Sequence, residues 1–484
     1  MRIAFATSEC VPFVKTGGLA DVSGALPRAL AEAGMEVKVF LPLYDSIRVL
    51  DHGLLFAGEL RDLPLQIGNL NLTCNTWYKK TPGLSLEHYF IDCPHYFHRG
   101  RVYTSDYDED GRFILLQQAL ISILQRYHWA PQVLHANDWP TALLPVYLKD
   151  KYYWDRLFDH TASVLSIHNL GYQGRFGRES IAAAGLSYDK YYPGGPYEFH
   201  NSFSFLKTGI LYADLITTVS ETYAREIQTP TSGEGLQDIL AMRRADLHGI
   251  LNGIDTSEWN PRVDKYIPHR YDFDSFATKV RNKQALLARF GLPFDPEVPV
   301  IGMISRLTPQ KGLELLAGAF HDLMQMPLQI IVLGEGERKY EEFLQWAVSA
   351  HPGKVGVYLG FNNELAHWIT AGCDMFLMPS RYEPCGLNQM YSLNYGTVPI
   401  VRRTGGLADT VHDYHEFHGQ GNGFSFRDFT PYALFTSVQR AVRLFHEKAI
   451  WREMVRRGMS EDFSWQHAAQ KYLEVYRLAA ARKQ

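Results

Sequence analysis

Short apolar runs alternate with helical stretches along the whole chain, and this alternation limits the fold more than any other feature. RIAFAT (2–7), VKVFLP (37–42), QVLHAN (132–137), ASVLSIH (162–168) and DLITTVS (214–220) read as strands. HGILNG (248–253), VPVIGMIS (298–305), LQIIVLG (328–334), VGVYLG (355–360), DMFLMPS (374–380) and TVPIVRR (397–403) follow. Most are apolar throughout rather than alternating, which suits strands covered on both faces. Residues 20–34, 112–127, 312–326 and 340–350 have helical spacing between them. Such alternation predicts βαβ units and doubly wound α/β sheets. Eleven strands overfill one open sheet, so the reading is two Rossmann-like halves, with a boundary near residue 247 and an irregular stretch at 259–276. A last helix, 465–480, carries Trp465, Ala468, Ala469, Tyr472, Tyr476 and Ala479 on one stripe that must pack somewhere.

The 484 residues allow two to four domains. Hydrophobic residues at 46% and charged residues at 21% exclude wholesale disorder and fibre. Lys+Arg 48 against Asp+Glu 52 gives −4, which argues against a nucleic-acid or membrane-surface partner but leaves room for a small phosphate pocket. Cys10, Cys74, Cys93, Cys373 and Cys385 are odd in number and form no CxxC, so neither a disulfide framework nor a zinc ribbon is expected. His95, His98 and His128 lack metal-ligand spacing, and no metal is expected. No signal peptide or membrane span is legible, and the expected compartment is the cytoplasm.

In doubly wound sheets ligands bind beyond the carboxyl ends of the strands. Polar residues and glycines gather there. Lys15 with Gly17 and Gly18 stands between a strand and a helix, either as an anion site or as an ordinary turn with a solvated lysine. It matches neither GxGxxG nor GxxxxGK[ST]. Arg306 and Lys311 flank a turn whose Gly312 opens a helix, which is a ready diphosphate clamp. Glu383 lies in RYEPCGL, where Pro384 and Gly386 turn the chain and Gly386 and Leu387 can present amides. It either caps a helix or faces a sugar. Cys385 reads as a packing residue more readily than as a nucleophile. His168 and Asn169 follow a buried strand, Asn252 follows HGIL, and Asp138 is either a helix N-cap or a sugar ligand. Phe361 either stacks on a flat base or plugs the core. TGGLAD occurs twice, at 16–21 and 404–409, either as similar turns in similar domains or as two parts of one ligand site.

KTGGLADV (15–22), HANDW (135–139), HNL (168–170), SRLTPQKG (305–312), PSRYEPCGL (379–387) and RTGGLADTV (403–411), in that order, resemble the bacterial glycogen synthases and plant starch synthases. The resemblance runs from the first strand to FSW (463–465). It implies a GT-B glycosyltransferase of two Rossmann-like domains facing a cleft, 1–246 and 247–462, with the helix 463–484 crossing back to the first. It implies transfer of glucose from ADP-glucose to the non-reducing end of an α-1,4-glucan, with retention and with no cofactor or metal. Carried over, Lys15, Arg306 and Lys311 would hold the diphosphate, and the backbone at Gly17 and Gly18 would approach the donor. Glu383, Cys385 and Gly386 would lie at the glucosyl group. The carbonyl of His168 would face the anomeric carbon, and its side chain and Asn252 would hold the sugar. Asp138 and Asn169 would line the same site, Phe361 would stack on adenine, and Tyr103 would sit in a loop closing over the donor.

Asn388 stands where the family pattern suggests Thr, and either can hydrogen-bond a phosphate. Asn137 stands where His is more usual, with a side chain expected to point away. Tyr391 stands where related transferases carry a second Glu, which leaves Glu383 as the only acid of its loop. The rival readings are a UDP-sugar transferase or epimerase, an NAD-dependent oxidoreductase, a glucan phosphorylase and a non-catalytic glucan-binding protein. The missing dinucleotide fingerprint weighs against the oxidoreductase.

Overall fold

Each apolar run carries a strand in the computed structural model, which describes residues 1–483. The chain divides into two units, Met1–Gly253 with the residues from Trp465 onward, and Ile254–Ser464. Each unit builds its own sheet.

The first unit contains β1 (Arg2–Ala6), β2 (Glu36–Pro42), β3 (Leu55–Phe56), β4 (Leu63–Ile67), β5 (Leu70–Lys80) and β6 (Leu86–Asp92). It continues through β7 (Val133–Asn137), β8 (Ala162–Ile167), β9 (Arg175–Phe176), β10 (Glu198–Phe199), β11 (Ser202–Ser204), β12 (Leu215–Thr218) and β13 (Leu247–Gly249). The main sheet runs β13-β12-β8-β7-β1-β2-β6-β5-β3, with β4 also on β5. It is parallel from β13 to β6, and the β3–β5 extension is antiparallel. Strands β9, β10 and β11 form a separate small sheet. Because β13 pairs with β12, residues 247–249 close the first sheet, and the first unit extends to Gly253 rather than ending at 246. The chain builds outward from β1 through β2 and β6, then returns to the other side of β1 at β7. The strand order therefore reverses between β1 and β7, and ligands favour such a reversal.

Helix α1 (Gly18–Glu32) buries Leu19, Val22, Leu26 and Leu30, and α2 (Glu109–Arg126) is buried along most of its length. The C-terminal helix, Trp465–Ala481, packs on α1 and reaches β7 and β8. Its whole expected stripe is buried. One polar link fixes its register: His135 Nδ1 lies 2.6 Å from the Tyr476 hydroxyl. His135 Nε2 lies 2.6 Å from Ser166 Oγ, which meets Thr217 Oγ1 in turn. Burial pushes the His135 imidazole down to about 3, so it stays neutral.

The second unit carries β14 (Val300–Ile304), β15 (Gln329–Gly334), β16 (Val355–Leu359), β17 (Met375–Met378), β18 (Val398–Arg402) and β19 (Phe424–Phe426) in the order β16-β15-β14-β17-β18-β19, all parallel. Here the order reverses between β14 and β17. Ile301, Met303, Ile330, Val332 and Ile400 form one face of the core with Leu316 and Phe320 of α3 (Leu313–Gln325). The irregular stretch is anchored by a ring stack. Trp259 lies 3.7 Å from His367 and 4.0 Å from Tyr391, both nearly parallel to it. Asp264 is buried and accepts from the Tyr395 hydroxyl at 2.6 Å and meets His367 Nδ1 at 2.7 Å. Tyr391 is thus a packing residue. No helix among the described residues is long and apolar enough to cross a membrane.

Candidate active site

The loops at the β1/β7 reversal hold Lys15, Gly17, Gly18 and Asp138. Lys15 is exposed and reaches Asp21 Oδ1 at 2.7 Å. The turn behind it is organised by Glu9, a buried carboxylate that sequence analysis passes over. Glu9 Oε2 accepts from the Thr16 amide at 2.6 Å, the Thr16 hydroxyl at 2.7 Å and the Gly17 amide at 3.0 Å. The Tyr103 hydroxyl donates to Glu9 Oε1 at 3.1 Å and meets Ser8 Oγ at 2.7 Å, so Tyr103 braces this turn. The Gly17 amide, a candidate anion donor by sequence, is occupied by protein. Gly18 is different: a Cβ there would meet nothing within 4 Å. The only available signal for Glu9 was a carboxylate closely following the first strand.

Asp138 follows β7 with φ 53 and ψ −174, a strained backbone for a residue with a side chain. Its Oδ1 accepts from the His168 amide at 2.7 Å. Burial pushes its carboxyl up to about 7, the amides of His168 and Asn169 pull the other way, and the Glu9 charge adds to the rise. His168 Nε2 lies 2.9 Å from Asn137 Oδ1, and burial lowers the ring to about 4. Its Nδ1 is buried with no partner, and so is Asn252 Oδ1. Asn137 does not point away: its Nδ2 donates to Ala6 O at 2.9 Å and its Oδ1 faces His168. Asn169 Oδ1 accepts from the Gly171 amide at 3.0 Å, closing the turn after β8.

In the second unit a cavity of about 230 Å³ opens at the β14/β17 reversal. Ser305, Arg306, Lys311, Ser380 and Asn388 line it together with Met303, Met378 and Pro379. Arg306 is exposed. Lys311 Nζ lies 2.6 Å from Glu383 Oε2, and Ser380 Oγ donates to the same oxygen at 3.0 Å. This pair is largely buried, with side-chain exposures of 17% and 9%. Backbone contacts bring the two loops together. The Arg381 amide donates to Gln310 O at 2.8 Å, and Gly312, with φ 71, comes so near Pro379 O that a Cβ would lie 2.1 Å from it. Asn388, at the start of α4 (Asn388–Asn394), donates Nδ2 to Ile304 O at 2.9 Å. Ser305 Oγ is buried without a partner at the cavity wall. Phe361, at 82% exposure, is no core plug.

The second TGGLAD copy has its own role. It opens α5 (Gly405–Thr410), and the Gly406 amide donates to Glu383 O at 3.2 Å. A Cβ on Gly405 would lie 2.0 Å from Glu383 O, and one on Gly406 2.0 Å from Cys385 O. These glycines let a helix N-terminus press against the backbone that carries Glu383. Cys385 is buried in that contact, while Gly386, with φ 72, and Leu387 lead into α4.

Two doubly wound units that gather cations, a carboxylate and unpartnered polar atoms beyond the carboxyl ends of their strands suit a Rossmann-type enzyme acting on a phosphorylated ligand. Residues 2–242 match the starch synthase catalytic domain and residues 287–450 match glycosyl transferases group 1. The glycogen synthase of Bacillus cereus (strain Q1) is 43% identical over 484 residues, covering 99% of each chain. That of Syntrophotalea carbinolica is 43% identical over 483 residues with the same coverage. The catalytic domain of starch synthase IV from Arabidopsis thaliana, bound to ADP and acarbose, has a TM-score of 0.88 at 30% identity, covering 99% of each chain. Sucrose-phosphate synthase from Thermosynechococcus elongatus shares the fold at 17% identity, with a TM-score of 0.56 over 99% of each chain. The chain belongs to the family of glycogen and starch synthases, hexosyltransferases that use a nucleotide-sugar donor and a glucan acceptor.

Proposed function

We propose that this enzyme transfers glucose from ADP-glucose to the 4-hydroxyl at the non-reducing end of an α-1,4-glucan, with retention of configuration. The cationic cavity at the β14/β17 reversal is the observation that carries this reading. Negative charge grows on a diphosphate as the glycosidic bond breaks, and fixed cations stabilise that charge. Arg306 offers a planar fork and Lys311 a point charge at one helix N-terminus. Ser305 and Asn388 add a hydroxyl and an amide on the same wall. Phe361 presents an exposed ring for adenine. Glu383 steers Lys311 and meets the glucosyl group, with Cys385, Gly386 and Leu387 shaping its loop.

In the first unit Lys15 contributes a further charge to the diphosphate, and Gly18 leaves room for a ligand. His168, Asp138, Asn169 and Asn252 hold the sugar. The acceptor hydroxyl attacks the face that ADP leaves, and the departing phosphate takes its proton. Neither step needs a metal or a covalent glucosyl-enzyme. A glucan and a nucleotide sugar are the only partners required, and a cytoplasmic setting fits a chain of free cysteines.

The test is nucleotide release from ADP-glucose and UDP-glucose, each with and without glycogen. Glycogen-dependent release of ADP is expected, and it should be lost in Glu383→Ala. Release of UDP in preference to ADP would overturn the donor assignment, and glycogen-independent release would overturn the transferase reading.

A further inference from the structure

We propose that Asn137 is a positioning residue for the transfer reaction: it holds His168 as the Nε2–H tautomer, so the ring meets the donor sugar through Nδ1 and only as a hydrogen-bond acceptor. The proposal rests on the reading that His168 lies at the glucosyl group.

Three strands build the arrangement. Asn137 ends β7, Ala6 ends the neighbouring β1 and His168 follows the neighbouring β8. The Asn137 Nδ2 lies 2.9 Å from the Ala6 carbonyl, which can only accept, so the orientation of the amide is set. Its Oδ1 is then the atom 2.9 Å from His168 Nε2, and that nitrogen must carry the hydrogen. A neutral ring protonated at Nε2 leaves a bare lone pair on Nδ1. Nδ1 is buried without a partner among the described residues. The backbone beside it cannot drift, because the His168 amide donates to Asp138 Oδ1 at 2.7 Å.

A buried acceptor without a donor is costly until something supplies a hydrogen. A sugar hydroxyl does so. A group of the same size that cannot donate leaves the nitrogen unpaired and is selected against. Asn252 Oδ1, buried without a partner in the same unit, makes the same demand. The first unit thus recognises hydroxyl hydrogens rather than hydroxyl oxygens at these two points.

The tautomer can be read directly from multiple-bond ¹H–¹⁵N spectra of the full chain labelled at histidine, at pH 7 without ligand. His168 should show a protonated Nε2 and an unprotonated Nδ1. A protonated Nδ1 would overturn the assignment whatever the enzyme's activity. The functional arm uses ADP-glucose analogues with fluorine replacing each sugar hydroxyl in turn, since fluorine fills the space but donates nothing. In the native enzyme at least one position should lose kcat/KM on the order of 10- to 100-fold. In Asn137→Leu the ring is free to present Nδ1–H, so transfer from ADP-glucose should fall while that discrimination shrinks several-fold. Equal discrimination in both proteins would overturn the positioning role.

Asn137→Asp, a near-isosteric change, covers the case in which the leucine variant does not fold. Its carboxylate should keep Nε2–H and raise the titration of His168 above the native value of about 4. Activity should then fall toward acidic pH where the native enzyme stays flat, and an unchanged profile would count against the contact. Failure of the native enzyme to use ADP-glucose at all would strike the underlying function and leave the tautomer result standing.

Discussion

Replacing Glu383 by Gln and Lys311 by Met, singly and together, separates two jobs of one ion pair. The Nζ–Oε2 distance is 2.6 Å and both side chains are mostly buried. At an effective dielectric of ~20 the direct attraction is about 6 kcal/mol, and desolvation of both groups offsets most of it. Charge-assisted hydrogen bonds retain about 1.5–3 kcal/mol net. Glu383→Gln should therefore cost about 1.5–3 kcal/mol. Lys311→Met should cost about 3–5 kcal/mol, because it leaves a buried carboxylate held by Ser380 alone. The double variant replaces the pair with neutral groups and should be less damaged than the sum, with a coupling of about 1.5–3 kcal/mol. Urea unfolding followed by tryptophan fluorescence gives the cycle. Turnover behaves differently. Each variant loses a charge or carboxylate from the donor site, so kcat should fall on the order of 10²-fold in all three and should not recover in the double variant. A coupling below about 0.5 kcal/mol would refute the pair as an electrostatic unit. Near-normal kcat in Lys311→Met would refute its placement on the diphosphate.

The two TGGLAD copies should respond oppositely to alanine. Gly406→Ala puts a Cβ 2.0 Å from Cys385 O and should cost about 1–3 kcal/mol by thermal unfolding, whereas Gly18→Ala meets open space, should leave Tm unchanged and should weaken donor binding by calorimetry. Asp138, with its carboxyl raised to about 7, favours the folded state while protonated; that contribution is full below about pH 4 and is lost as pH rises through 7. Asp138→Asn should therefore gain stability over the native chain at pH 8, by no more than about 4 kcal/mol, and little at pH 4, as urea titrations at the two pH values would show. Tyr476→Phe strands His135 Nδ1 in the core and should cost about 1–3 kcal/mol, with faster proteolysis of the C-terminal helix.

Buried parallel strands were legible because they are apolar on both faces, and each expected run carries one. The β3–β6 stretch escaped notice for the opposite reason. In β5, LNLTCNTWYKK is half-exposed and polar, and in β6 LEHYFID mixes charge with aromatic rings, so neither pattern reads as a buried run. Strand β19 is only Phe424–Phe426. A boundary near residue 247 assigns HGILNG to the second half, yet only the pairing of Leu247–Gly249 with β12 decides its sheet. In the site, charged residues after strand ends could be found by rule, as Arg306, Lys311 and Glu383 were. What sequence spacing could not supply was who holds whom. Glu9 folds back on the Thr16 and Gly17 amides through a local turn that no motif marks, while Asn137 on His168 and Gly406 on the Glu383 loop are contacts across long separations. The bracing of Tyr103 against Glu9 likewise depends on folding, because the two lie far apart in the chain.

The first unit is interrupted: it runs Met1–Gly253 and takes its last helix from Trp465 onward. On a ribosome adding ~5–20 residues per second, the intervening Ile254–Ser464 takes roughly 10–40 s to emerge. Through that interval the N-terminal sheet waits with the α1 face bare and His135 without Tyr476. The second unit, contiguous in the chain, can finish while the first is still open. Birth order and completion order are therefore inverted, and the half made first is the one exposed to chaperones and proteases until the helix from Trp465 onward has emerged.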